Sequence, residues 1–284
     1  LAIRRTDLDV TTPMDLAHAL DLPNCTAIGT GSQDATMFVE HLMAALYASA
    51  VTDLLVEVSG PEVPLLDGSA VGWQRAIEEA GIQDLKTPLE PLVVSETVRV
   101  EAGERWISAE PADEPVFTYD LEYTHPLIGR QVASFVPTSE SFAQFVARSR
   151  TFALIEELQR AQATGLLKGG SEDNCRVIYP DRYSEAPTVP LEFARHKLLD
   201  MLGDLYLLGR PIVGRITGFR TGHGHNRELV FVEYLMAALY ANSITDLLIE
   251  VSGPEVPLLD GSAVGWQQAI VQAGTEEFAA TVEP

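Results

Sequence analysis

A chain of 284 residues, 46% of them hydrophobic, is long enough for two ordinary domains and apolar enough for a sizeable core, which excludes a disordered or collagen-like class. Its 19 Lys and Arg against 41 Asp and Glu leave a formal net charge of −22, a field that repels nucleic acid and anionic bilayers. An anionic small-molecule substrate therefore needs a local basic cluster.

Taken in chain order, the sequence opens on Leu1, with Arg4 and Arg5 followed by TDLD rather than an apolar run, so no signal peptide is expected. Helical spacing of Val39, Leu42, Met43 and Leu46 predicts a helix over FVEHLMAALYA, and alternation predicts a strand at DLLVEVS. A Gly-Pro turn, the loop PEVPLLDGSA and an amphipathic helix over about 70–80 complete this unit. Residues 82–91, with two prolines, read as a linker. From 92 to 136 the pattern is strand-like, through VVSETVRV, RWISAE and FTYDLEY. Residues 139–163 look helical behind the N-cap candidates Thr138 and Ser139, GLLKGGSEDN reads as a glycine-rich loop, and CRVIY as a short strand. A strong helix is expected over 192–208, then a strand at IVGRITGFR and a Gly- and His-rich loop over 221–226. The apolar runs around 54–58 and 205–208 are broken well short of a spanning length, so no transmembrane segment is expected. Cys25 and Cys175 have no CxxC partner, which points to a reduced, cytoplasmic protein without a Cys-rich metal site. We expect a monomer.

The clearest large-scale feature is an internal repeat. Residues 38–81 recur at 231–274, and only eight of the 44 positions differ, among them His41/Tyr234 and Arg75/Gln268. Two copies at this separation make no solenoid; they read as one recent duplication, or as a chimeric gene or assembly. The expected division is an α+β domain at 1–88, a second at 89–230, and the degenerate repeat at 231–284.

HKLLD sets His196 and Asp200 four residues apart on one helical face. VEHLMAAL supplies His41 beside Glu40. Two His and one carboxylate with an open position are the ligand count of a hydrolytic zinc site. By spacing alone, His-x-x-x-Asp is as readily a surface helix pair, and a lone His41 a partly buried helix residue.

What singles the chain out is the order of several strings: RRTDL, VEHLMAAL, GPEVPLLDGSA, ETVRVE, HP, SRTF, GLLKGGSEDN, EFARHKLLDMLGDLYLLG and GHGHN. Over roughly residues 1–230 it resembles the UDP-3-O-acyl-N-acetylglucosamine deacetylases, which commit that nucleotide sugar to lipid A synthesis. The resemblance implies a two-domain α+β sandwich with helices packed between two sheets. It implies Zn2+ held by His41, His196 and Asp200, Glu40 as general base, and His223 as the cation that stabilises the oxyanion and protonates the leaving amine. His225 is the rival to His223 within the loop. Thr151 would donate to the oxyanion, Lys197 would contact substrate beside the metal, and Asp204 would orient His223. Arg105, Lys197 and Arg220 would meet the phosphates or sugar and Tyr123 the uracil. Phe152 would contact substrate, and an insert after SRTF would form a βαβ unit with an apolar passage for the acyl chain, lined by Ile155, Leu158, Leu167, Gly170, Ser171 and Cys175; an ordinary amphipathic helix would bury the same Leu and Ile. The partner implied is a nucleotide-sugar lipid substrate, not nucleic acid. The chain departs from the family's pattern in lacking its N-terminal strand with a glycine-rich His motif, and in carrying the repeat. The alternative is a rearranged member that binds zinc or nucleotide sugar without turnover.

Overall fold

A computed structural model of the chain describes residues 1–20, 22–163 and 170–229. The second repeat copy, with Tyr234, and Leu167 lie outside the described residues.

The first part builds a frame for one helix. Strands β1 (Ala2–Arg5) and β2 (Val10–Pro13) form an antiparallel pair. The short strands β3 (Ala19–Leu20), β4 (Ala27–Ile28) and β5 (Thr36–Met37) form a second small sheet that delivers the chain to α1 (Glu40–Ala48). β6 (Leu55–Val58) then pairs in parallel with β1, and α2 (Val71–Ala80) follows. Leu42, Met43, Ala44, Ala45 and Leu46 of α1 are all buried, as expected for a helix that is apolar on every side.

Residues 81–90 are exposed throughout and carry no secondary structure, in keeping with a linker. Beyond them come β7 (Leu92–Val93), β8 (Val98–Ala102), β9 (Arg105–Glu110), β10 (Val116–Glu122) and β11 (Arg130–Phe135). Next are a capped turn of helix, α3 (Ser139–Ser141), continued by a π turn over Phe142–Val146, then β12 (Phe152–Leu154), α4 (Ile155–Ala163) and β13 (Arg176–Ile178). The long helix α5 (Glu192–Leu205), β14 (Ile212–Val213) and β15 (Arg215–Phe219) complete the described elements, with residues 223–229 helical. The main sheet has the order β11-β10-β15-β9-β8. Its period-2 alternation is plain in β10, where Phe117, Tyr119 and Leu121 are buried against α5.

α5 lies between this sheet and α1, and residues of β1, α1, α5 and the main sheet share one buried cluster. That is the layering of an α+β sandwich with helices between two sheets. The helices come unusually close because position 203 has no side chain: a Cβ there would fall 2.0 Å from the Glu40 carbonyl oxygen.

Three expectations need correction. The stretch 139–163 is not one helix: β12 interrupts it, because its backbone pairs in parallel with β13. The strand expected over IVGRITGFR is two strands, β14 on β7 and β15 in the main sheet, parted at Gly214. A Cβ there would meet Val94 Cγ2 at 2.6 Å. The loop expected over 221–226 is already helical from residue 223.

Candidate metal and catalytic site

The site forms where α1 begins and α5 passes beneath it. One turn of α5 puts His196 and Asp200 on the same face, and α1 presents His41 to them. One donor atom of each residue lies within 4.8 Å of the others. His41 Nε2 is 3.4 Å from Asp200 Oδ1, and His196 Nε2 is 3.5 Å from Asp200 Oδ2. The two imidazoles meet edge to face at 5.1 Å.

The surroundings suit a cation. His196 Nδ1 faces the Ser149 carbonyl oxygen at 3.4 Å; a carbonyl only accepts, so Nδ1 carries the proton and Nε2 keeps its lone pair for the centre. Burial pushes the His196 imidazole down to about 3, so it is the neutral, ligating form at any ordinary pH. Burial works against the Asp200 carboxylate, but the neighbouring His196, Lys197 and His41 outweigh it and hold Asp200 well below the usual carboxylate range. Lys197 Nζ donates to Asp200 Oδ2 at 2.8 Å. Burial disfavours its charge too, yet Asp200, Tyr119 and Tyr123 more than offset this and its pKa is raised. Two imidazoles and one carboxylate, nearly buried and leaving positions open, are a donor set that can hold a divalent metal ion.

Two acid–base groups flank this set. Glu40 is buried, and burial raises its pKa against the opposing pull of His223 and His41. His223 stands at the start of the helical residues 223–229, its Nδ1 at 3.1 and 3.0 Å from the two carboxylate oxygens of Asp204. Burial alone would lower its pKa; the charge and hydrogen bonding of Asp204, with Glu40 and Asp200 behind it, instead raise it to about 9. Asp204 sits one turn beyond Asp200 and is fully buried, which is what holding the His223 ring requires. His225, the rival in the loop, is pushed down by burial and by the charge of Arg105.

The substrate-contact candidates divide. Phe152 packs edge-on against His196 at 5.7 Å and Phe193 at 4.8 Å, with Tyr123 at 5.9 Å, so these rings adjoin the His41, His196 and Asp200 group. The Thr151 hydroxyl donates to the Gly68 carbonyl at 3.2 Å. Arg105 is exposed at the start of β9, where its charge acts on Tyr123 and His225; Arg220 donates to Glu104 at 2.9 Å. β12, α4 and β13 do make a βαβ arrangement, with β12 and β13 parallel and α4 following β12. A buried ion pair, Arg176 Nε to Glu192 Oε1 at 2.7 Å, anchors it to the first turn of α5. Within the unit Ile155 is half-buried, Leu158 and Cys175 are buried, and Ser171 is exposed in a turn where its N–H donates to Asn174 Oδ1 at 2.8 Å.

Sequence reasoning passed over three contributors: the Ser149 carbonyl behind His196, Asn226 donating to Asp204 Oδ2 at 2.8 Å, and Thr26. A backbone carbonyl and a lone Thr have no local signature; Asn226 stood within GHGHN and could have been read as a partner for Asp204.

Comparison with known proteins shows the family. A family model described as UDP-3-O-acyl N-acetylglycosamine deacetylase matches residues 1–231 and residues 228–284, the latter stretch containing the second repeat copy. The UDP-3-O-acyl-N-acetylglucosamine deacetylase of Anaeromyxobacter sp. (strain Fw109-5) is 39% identical over 230 residues, 80% of this chain and 75% of the relative. The protein of the same name from Anaeromyxobacter dehalogenans (strain 2CP-C) is 37% identical over 270 residues, covering 91% and 86%. That of Helicobacter pylori (strain J99 / ATCC 700824) is 32% identical over 228 residues, covering 80% and 77%. By the family-model match over residues 1–231 and by relatives at 32–39% identity across three quarters or more of their length, the chain belongs to the UDP-3-O-acyl N-acetylglycosamine deacetylase family.

Proposed function

We propose that this chain hydrolyses the N-acetyl group of a UDP-3-O-acyl-N-acetylglucosamine, yielding acetate and the free amine of the committed step toward lipid A, with Zn2+ as its metal. The observation that carries the reading is the convergence of His41, His196 and Asp200 beside Glu40 and the Asp204–His223 pair. Zinc held by those three residues would polarise the acetyl carbonyl and acidify the attacking water.

The rest is the work of the chain's own residues. Glu40, made more basic by burial, takes the proton of the attacking water. Thr151, turning its hydroxyl proton away from the Gly68 carbonyl, donates to the oxyanion of the tetrahedral intermediate. His223, protonated at neutral pH and held by Asp204, adds its charge to that stabilisation and gives its proton to the departing amine. Lys197 keeps Asp200 ionised and offers its charge to the sugar side of the substrate. Arg105 and Arg220 receive the diphosphate, Arg220 exchanging Glu104 for phosphate oxygens. Tyr123 flanks the uracil, and the βαβ unit, with Phe152, Ile155, Leu158, Leu167, Gly170 and Ser171, guides the acyl chain. On this reading residues 1–88 and 89–230 are the two domains that meet at the site, and 231–284 is an appended repeat.

Glu40→Gln tests the reading. Shape is kept and the base removed, so zinc content stays stoichiometric while kcat for amine release falls roughly 10²–10⁴-fold. Undiminished kcat in this variant would move the base elsewhere. Zinc bound by a wild-type chain that releases no acetate would favour the non-turnover alternative.

A further inference from the structure

Thr26 sits at the entry to β4 and is fully buried. Each of its polar groups is directed at the catalytic apparatus. Its N–H donates to Glu40 Oε2 at 3.0 Å, and its carbonyl accepts at 3.2 Å from the N–H of Val39, the residue before Glu40. Its hydroxyl donates to Asp204 Oδ1 at 2.5 Å and accepts from Arg227 Nη1 at 3.3 Å. A hydroxyl has one proton to give, and an ionised carboxylate only accepts, so that proton is committed to Asp204. The other Asp204 oxygen takes the Asn226 amide at 2.8 Å and His223 Nδ1 at 3.0 Å. Glu40 on α1 and His223 after β15 come from distant segments, and one residue that is part of neither segment hydrogen-bonds both carboxylates.

We propose that Thr26 is a positioning residue for the deacetylation, fixing the distance between Glu40 and the Asp204–His223 pair so that proton acceptor and proton donor are in place together. The proposal rests on the roles assigned above to Glu40 and His223. Its physical basis is that the hydroxyl bond to Asp204 immobilises the Thr26 peptide, whose N–H and carbonyl in turn hold Glu40 and the start of α1. Without the hydroxyl, Asp204 loses one of the groups that set its plane, and the His223 ring loses its aim.

Thr26→Val keeps the shape and deletes the hydroxyl; Thr26→Ser keeps the hydroxyl. The expected result for Thr26→Val is a kcat lowered about 10–100-fold, the range of one lost hydrogen bond to a charged group. KM should stay within about 2-fold and zinc stoichiometry should be unchanged, while Thr26→Ser returns kcat to within about 3-fold of wild type. In an Asp204→Ala background Thr26→Val should add less than about 2-fold, because the partner is already gone. Thr26→Ala, assayed beside it, serves if the valine variant does not fold. Wild-type kcat without the hydroxyl, a loss that follows loss of zinc, or full multiplication of the two effects in the double variant overturns the proposal. Glu40→Gln and His223→Gln are run in parallel. If both lose activity and the Thr26 variants do not, the positioning role alone fails; if both remain fully active, the underlying roles fail with it.

Discussion

At the scale of single residues the candidate centre consists of three side chains, and no fourth His, Cys, Asp or Glu is grouped with them among the described residues. His196→Ala or Asp200→Ala should lower zinc affinity by more than about 100-fold, beyond what outer-shell substitutions do, and abolish turnover. Tyr234→Ala should leave zinc content alone; metal analysis after exhaustive dialysis reads both. His223 gives a pH prediction. Its pKa is raised to about 9, so the charged, proton-donating form predominates at neutral pH and is lost as pH rises through that value. The kcat/KM profile should therefore show a basic limb centred near 9, and Asp204→Asn, which removes the charge sustaining it, should move that limb downward. The same group contributes to stability in the same sense: fully below its unfolded value of about 6.5, and progressively less as pH climbs through the folded one. A basic limb indifferent to Asp204→Asn would remove His223 from the acid role.

At the scale of elements the site depends on how closely α5 approaches α1. Gly203 permits it, since a Cβ would lie 2.0 Å from the Glu40 carbonyl oxygen, a backbone atom that cannot swing aside. Gly203→Ala should therefore lever the helices apart, lowering stability by about 3 kcal/mol, the upper end of the usual overpacking range. It should weaken zinc binding as well, because Glu40 and His41 are displaced together. Thermal unfolding and zinc titration check it, and an unchanged melting temperature with wild-type zinc affinity would show that some other contact sets the spacing. Gly68 does the equivalent service for the βαβ unit: its backbone has φ +81° and its missing Cβ leaves room for the Asn174 carbonyl, while its own carbonyl receives Thr151.

At the scale of the whole molecule the open matter is the repeat. Copy one carries Glu40 and His41, whereas copy two carries Glu233 and Tyr234, and the chain contains one HKLLD. Phenol is a poor substitute for imidazole in a hydrolytic metal site, and a single copy of α5 offers His196 and Asp200 to a single partner. Tyr234→His should thus leave zinc at one ion per chain, and deleting residues 231–284 should leave that ion in place. Two tightly bound ions in Tyr234→His would require a second ligand helix from somewhere else. The net charge of −22 sets a further condition at this scale: an anionic substrate must be met locally, and on the proposal above Lys197, Arg105 and Arg220 would meet it, with Lys197 paired to Asp200 and Arg220 to Glu104 beforehand.

Elements whose signal is periodic and local were legible in the amino-acid order. α1 and α5 were visible from helical spacing, β10 from alternation, and His196 with Asp200 from the i, i+4 geometry that any helix imposes. The order of motifs pointed to the family and to the set of candidate residues. Tertiary structure decided what depends on segments far apart in the chain. β12 reads as helix locally and is a strand only because β13 lies beside it. His41 joins His196 and Asp200 because Gly203 lets two helices touch, and Thr26, just before β4, hydrogen-bonds both Glu40 and Asp204 from a distant part of the chain. Local patterning records which face of an element is buried; which partner covers that face, and at what distance, is set by packing and hydrogen bonds across the folded core.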